Sequence, residues 1–420
     1  MSSADLVVVG AGAAGLAAAI FAARAAPAAR ITCLDGARRI GAKILVSGGS
    51  RCNVTNRVVT ERDFWGGSSR AVRHVLRAFP SASAAAFFDA LGVALHEEED
   101  GKLFPDTNRS RTVLEALVGE AARLGVTITS GARVSGIERT AGQFLVQTPD
   151  EAIRATCVVL ATGGRSLPKT GSDGFGYELA RGLGHTHVET TPALAPLVLG
   201  DGGEDGHIRH AALAGISHPA VMTLRVDGRV AQRLEGALLW THFGLSGPLA
   251  LNMSRHWHRA RLDGGGADVS LSLCPGETFE SLESWLLGQE RDRPRTRLST
   301  VLATRLPAAV ADACVAAARL DRDTTMAHLT REGRRALVRA LVDSPLPVAD
   351  SRGYAYAEVT AGGVPLDEID PATMESRRCA GLYLVGEILD VDGRLGGFNF
   401  QWAWSSGWVA GQAIARRLHD

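Results

Sequence analysis

Apolar residues fall into short β-branched runs, set between glycine turns and alanine-rich stretches of helical length. Leu6-Val7-Val8-Val9 is the first run, short enough for a strand buried on both faces of a parallel sheet. Leu16 to Ala26 is alanine-rich and predicts a helix, and Ile31-Thr32-Cys33-Leu34 a second strand. The pattern then predicts helices over 70–92 and 110–124, a strand from Val126, and a strand over 133–137 with a hairpin partner over 143–147. Cys157 to Leu160 is another fully apolar strand, and a helix opens near Asp173 and runs to Leu183. From Thr190 the texture changes. Alternating runs over 220–226 and 269–273 predict a β-rich insertion, and 276–343 reads as helical. Strand-and-turn patterns return over 356–364 and 382–387, and a helix over 399–417 follows.

The chemistry begins where the first strand ends. Gly10-Ala11-Gly12-Ala13-Ala14-Gly15 fits G-x-G-x-x-G between a strand and a helix, and Asp35 stands about twenty residues on, at the end of the second strand. Gly10 allows the turn, Gly12 lets a pyrophosphate approach bare backbone, and Gly15 lets helix and sheet pack closely. The helix N-terminus then offers N–H groups to phosphate. Asp35 can accept ribose hydroxyls and disfavours a 2′-phosphate, which leaves FAD or NAD as the dinucleotide.

Residues 36–56 are dense in Gly, Ser and Asn and predict a ligand-wrapping loop, with Lys43 and Arg51 facing phosphates or a flavin carbonyl. Ala161-Thr162-Gly163-Gly164 closes a buried strand, as in glutathione-reductase-like flavoproteins. No second G-x-G-x-x-G follows a strand, so any nicotinamide binds transiently near the flavin. Gly386-Glu387 ends a strand before a helix, an arrangement that can set an acid on ribityl hydroxyls and a helix N-terminus at flavin N1–C2=O. Glu387, Asp390 and Asp392 lie close together but fit no metal-loop pattern, so no metal site is expected.

Formal net charge is +0, with 45 Lys+Arg against 45 Asp+Glu, which argues against a nucleic-acid partner; lysine occurs only at 43, 102 and 169. Gln289–Arg297 and Arg331–Arg339 are local basic clusters, read as solvated helix faces. Six cysteines without C-x-x-C spacing fit neither a disulfide framework nor a metal site, and suit a reducing cytoplasm. No stretch reads as a membrane span.

Together these stretches resemble bacterial NAD(P)/FAD-dependent oxidoreductases of the bile-acid-inducible flavoprotein and aminoacetone oxidase type. Gly10–Gly15, Ser47 to Asn56, Ala161–Gly164, Thr241 to Pro248, and Gly386-Glu387 through Gly396-Gly397-Phe398-Asn399 to Ala403 carry the likeness. The resemblance implies an α/β fold: a Rossmann-like, glutathione-reductase-like FAD domain (1–190 and 346–420) interrupted by a β-rich domain (191–274) and a small helical domain (275–345). It places FAD along Gly10–Gly15, Asp35, Ser47, Gly48, Gly49, Arg51, Cys52, Asn53, Val134, Thr162, Gly163, Gly164 and Gly386 to Asn399, Asp392 included. Ser50 stands where the family pattern has a third glycine, and Ala237 where an acid is usual.

The expected function is FAD-dependent oxidoreduction, with hydride passing through flavin N5 from NAD(P)H to a small organic substrate, in the manner of a C=C reductase. Alternatives are an amine oxidase that produces hydrogen peroxide and a non-catalytic flavin-binding protein. Thr241 and His242 are the substrate-side candidates, because they lie in the insertion's most distinctive stretch.

Overall fold

The computed structural model describes residues 2–140, 142–200 and 208–419. The chain divides into two compact units, Met1–Thr191 with Glu358–Asp420, and Pro192–Ala357.

The first unit is built on a sheet of nine strands among the described residues. Five run parallel in the order Leu382–Leu384, Ala152–Leu160, Ser2–Val9, Ile31–Asp35, Thr127–Ser130. Leu6, Val7 and Val8 are fully buried, which is why this run has no polar alternation. The expected hairpin forms from Gly136–Thr140 and Gln143–Gln147 and adds antiparallel to Ala152–Leu160. Its first strand starts three residues later than the pattern over 133–137 suggests.

Helix Ala13–Ala25 lies against the C-terminal helix Phe398–His419. A Cβ on Gly407 would meet Ala17 Cβ at 2.8 Å and the Ala14 carbonyl at 3.0 Å, so the two backbones touch through a seam of small residues. That seam brings the two ends of the chain to one place. Trp404 Nε1 donates to the Val54 carbonyl (2.8 Å), and Thr55 Oγ1 donates to Gln401 Oε1 (2.6 Å).

Three local expectations change. Residues 70–92 form two helices, Ser69–Ala78 and Ser81–Ala90, because Pro80 cannot continue the first. Residues 36–56 are not all loop: Ala42–Ser50 starts as helix and breaks where Ser47 turns extended and Gly48 and Gly49 turn left-handed. Within the stretch 390–398, Val391–Gly393 is a strand paired with Phe64–Gly66. Nearby, buried His185 faces Glu368 Oε2 (2.7 Å) and Ser376 Oγ (2.8 Å). Ser376 Oγ also accepts from the Arg378 and Cys379 amides, so this relay pins a turn and presents no open nucleophile.

Among the described residues the second unit carries a seven-stranded antiparallel sheet in which Ser217–Val226 pairs with Arg229–Thr241. One apolar cluster joins its strands and helices, including Met222, Trp240, Trp257, Leu286, Val310 and Leu337. Helices Phe279–Asp292, Leu298–Leu302, Ala308–Ala317 and Arg331–Val342 fill the region expected to be helical. Helix Gly247–Leu262 interrupts the stretch whose pattern predicts a β-rich insertion. Residues 201–207 of that stretch lie outside the described residues.

Candidate functional site

The strand Ser2–Val9 ends at Gly10, whose φ of +103° and carbonyl-crowded position exclude a side chain: a Cβ would lie 2.4 Å from the Ala161 carbonyl oxygen. A Cβ on Gly15 would lie 1.9 Å from the Gly10 carbonyl oxygen. At Gly12 the same test finds no protein atom within 4 Å. Two glycines of the motif therefore serve chain packing, and the middle one faces open space at the start of a helix. Gly12 caps that helix with no side-chain bond, and its first turn holds no acid. The end is suited to an anion. Ala11, Ala13 and Ala14 complete the turn, and Ala14 also touches the C-terminal segment, since a Cβ on Gly386 would lie 2.7 Å from Ala14 Cβ.

Asp35 is anchored at this turn. Its Oδ2 accepts from the Ala11 amide and its Oδ1 from the Ala37 amide, both at 2.8 Å. Each oxygen keeps a lone pair for a hydroxyl. Val134 is buried, and the adjacent Arg133 pairs with Asp173 at 2.7 Å and lies over the Phe175 ring.

The turn after Val46 carries a run of left-handed residues: Gly48, Gly49, Ser50 (φ +67°) and Cys52 (φ +62°). Ser47 Oγ donates to the Ile44 carbonyl. Gly49 again borders open space. Asn53 Oδ1 is buried with no hydrogen-bond partner. Gly397 lies beside it, a Cβ there falling 2.9 Å from Asn53 Oδ1, and Asn56 Nδ2 donates to the Gly396 carbonyl. Asn399 brackets Gly393 through its amide and carbonyl, and Phe398 and Asp392 are buried. Arg51 and Cys52 of this turn make their side-chain contacts within the protein. Arg51 grips Glu98 with both guanidinium nitrogens (2.5 and 3.2 Å) and stacks on Phe104, so its charge is committed within the protein. Cys52 is fully buried, which pushes its thiol up to about 12 and leaves it an inert packing group.

Glu387 gathers the second half of the site. Its Oε2 is paired with Lys43, and its Oε1 accepts from Ser166 Oγ (2.7 Å) and the Thr360 amide (2.9 Å). Lys43 also donates to Ser166 Oγ at 2.5 Å. The Gly163-Gly164 turn after Thr162 lies against this cluster, a Cβ on Gly164 meeting Glu387 Oε1 at 2.9 Å. The sequence reading found Lys43 and Glu387 but not Ser166 or Thr360; Thr360 Oγ1 accepts from the Arg165 and Ser166 amides and so fixes the turn. Burial raises the carboxyl of the neighbouring Glu358, and Lys43 opposes that rise.

These features fit a dinucleotide carrying a flavin: an open position at Gly12 at a helix start, an anchored acid at Asp35, an open glycine at Gly49, and an orphan acceptor at Asn53. Over residues 4–413 the sequence matches the family described as HI0933-like protein Rossmann domain. The chain belongs to that family. Among proteins similar to this HI0933-like chain is the ribosomal RNA dihydrouridine synthase of Escherichia coli K12, 33% identical over 98% of both chains. Another is the 3-dehydro-bile acid delta(4,6)-reductase of Clostridium scindens, 32% identical over 98% of both chains. The fold is shared with the FrdA subunit of E. coli quinol fumarate reductase (TM-score 0.50, 19% identity, all of this chain and 71% of that one). The HI0933-like protein is an FAD-dependent oxidoreductase. One relative carries an RNA-directed name, so the exclusion of nucleic acid argued from net charge does not stand.

Thr241 and His242 lie in the second unit. Thr241 ends the strand Arg229–Thr241 opposite Gly244, and its Oγ1 is buried without a hydrogen-bond partner. His242 is exposed on the following turn, edge-on to Phe243. The expected loop from Thr241 to Pro248 is instead a tight hairpin leading into helix Gly247–Leu262. Among the described residues no group of His, Cys, Asp and Glu could hold a metal, and no helix is long and apolar enough to cross a membrane.

Proposed function

We propose that this protein reduces a carbon–carbon double bond conjugated to a carbonyl, and that the substrate is a uracil base in ribosomal RNA. One observation carries the reading: relatives matched over 98% of their length are named for two reactions that both saturate such a bond, in uridine and in a steroid. Reduction adds a hydride to one carbon and a proton to its neighbour. NAD(P)H, the proposed donor, provides the two electrons, and solvent the proton. Bound FAD supplies a hydride carrier at N5.

The side chains described above hold and orient that carrier. Gly12 and the helix it caps receive the pyrophosphate, and Asp35 the adenosine ribose. Glu387, held by Lys43, Ser166 and Thr360, receives the ribityl chain. Asn53 and the Gly396–Asn399 segment border the ring. Thr241 and His242 remain the proposed polar groups on the substrate side.

The steroid reading is the alternative, supported by the 32% identity to the bile-acid reductase. Stopped-flow reoxidation separates the two. Anaerobically reduced enzyme is mixed either with an unmodified ribosomal RNA transcript or with a 3-keto-Δ4,6 steroid. Recovery of the oxidised flavin band with RNA alone supports the proposal. Recovery with the steroid alone replaces it, and hydrogen peroxide formed in a separate assay of the oxidised enzyme with an amine and dioxygen would reject both.

A further inference from the structure

We propose that the helix Arg331–Val342, with the turn that follows helix Phe279–Asp292, is a docking face for the phosphate backbone of RNA. This rests on the uridine-reductase reading and names where that substrate is held.

The argument begins with spacing. Arg331, Arg335 and Arg339 recur every fourth residue, so they share one face of their helix and step along it by about 6 Å. All three are exposed, whereas Gly333, Leu337, Val338 and Leu341 on the other side are buried. None of the three takes part in an ion pair among the described residues; Arg335 has only the Phe279 ring, at 5.8 Å. A stripe of guanidiniums without ion pairs, repeating at a step close to that between successive phosphates of one strand, is matched in charge and spacing to a nucleic-acid backbone.

The neighbouring helix explains why the stripe stays uncompensated. Its acids Glu283 and Glu290 are turned to Arg334, at 3.6 and 3.9 Å, and Arg334 is itself mostly covered. The turn after Asp292 is tied to the segment just before helix Arg331–Val342, because the Ala327 amide donates to the Pro294 carbonyl and the Met326 amide to the Thr296 carbonyl, both at 2.9 Å; Arg291, Arg293 and Arg295 there are exposed and without an ion pair among the described residues. Of the other acids on these two segments, Glu280, Asp292 and Glu332 make no ion pair with the six arginines among the described residues. Every cation is arginine, whose planar fork binds phosphate through two hydrogen bonds and stacks on unpaired bases. A net charge of +0 hides this, because the compensating acids are elsewhere in the chain.

The test is filter binding of holoenzyme to an unmodified ribosomal RNA transcript across a salt series, using Arg331→Gln/Arg335→Gln/Arg339→Gln. The expected result is at least a tenfold loss of affinity and a salt slope smaller by about two, with FAD content and flavin spectrum unchanged. The lysine triple variant at the same positions should recover most of the affinity, which separates charge from folding damage. If wild type binds and reduces the transcript and the glutamine variant does so equally well, the docking face is wrong and the reductase reading stands. If wild type neither binds nor reduces RNA but turns over a steroid enone, both fall.

Discussion

The Lys43 ammonium is paired with the Glu387 carboxylate across 344 residues of sequence, and both contact Ser166 Oγ. The pair ties the glycine turn near one end of the chain to the Gly-acid turn near the other. Its side chains are 26% and 16% exposed, so breaking it costs less than breaking a fully buried pair. Lys43→Met should lower stability by about 1–2 kcal/mol and FAD affinity about tenfold. The double variant with Glu387→Gln should lose less than the two single losses combined. Urea unfolding and FAD titration of the four proteins check this; strict additivity would mean the pair is not coupled.

Gly12 and Gly15 should respond in opposite ways to one methyl group. Alanine at Gly12 meets no protein atom and has an ordinary φ of −84°, so Gly12→Ala should fold normally and retain FAD at least tenfold more weakly, about 1.4 kcal/mol. Alanine at Gly15 collides with the Gly10 carbonyl and should cost about 3 kcal/mol or more. Melting curves and the flavin absorbance of purified protein distinguish the cases.

Ser50 holds a left-handed conformation that costs a residue with a Cβ about 1 kcal/mol or more. Ser50→Gly should therefore raise stability, by about 0.5–1 kcal/mol after the extra freedom of glycine in the unfolded chain is set against it. Calorimetry should record an increase of roughly 2 °C. A lower melting temperature would mean that the serine hydroxyl contributes more than the strain removes.

The second unit should weaken in mild acid. Burial, with Arg255 adding to it, pulls His256 from 6.5 down to about 4. Burial also pulls His258 to about 4, with Asp350 opposing and Arg261 adding. Both imidazoles take protons more readily once unfolded. Their contribution is complete above pH 6.5 and is lost as pH falls toward 4, roughly 2–4 kcal/mol by pH 5 for the two together. His258→Asn should remove about half of that slope in denaturant titrations at pH 7 and pH 5; an unchanged slope would assign the effect elsewhere.

What the sequence disclosed follows from how local each signal is. The turn Gly10–Gly15 and the acid at Asp35 are set by contiguous residues, and the structure packs Gly10 and Gly15 tightly while leaving Gly12 open at the helix start. Ser166 could not be read this way, because its partner Glu387 is 221 residues distant and its own stretch is an ordinary turn. The Arg51–Glu98 pair is illegible for the same reason, because Glu98 comes from a separate strand. Two misses had signals in plain view. Pro80 divides the stretch 70–92, and Pro248 at the first turn of helix Gly247–Leu262 is a common helix opening. Net charge carries no information about a local patch, since a sum over the chain erases where the arginines stand.

The most direct test of the central claim is product analysis. Purified holoenzyme is incubated anaerobically with NADPH or NADH and an unmodified ribosomal RNA transcript, which is then digested to nucleosides and weighed by mass spectrometry. The account predicts a uridine heavier by two hydrogens, formed only when enzyme, its FAD and the nicotinamide are all present. Unaltered uridine, from enzyme whose flavin is fully reduced and which reduces a steroid enone in the same buffer, would contradict it.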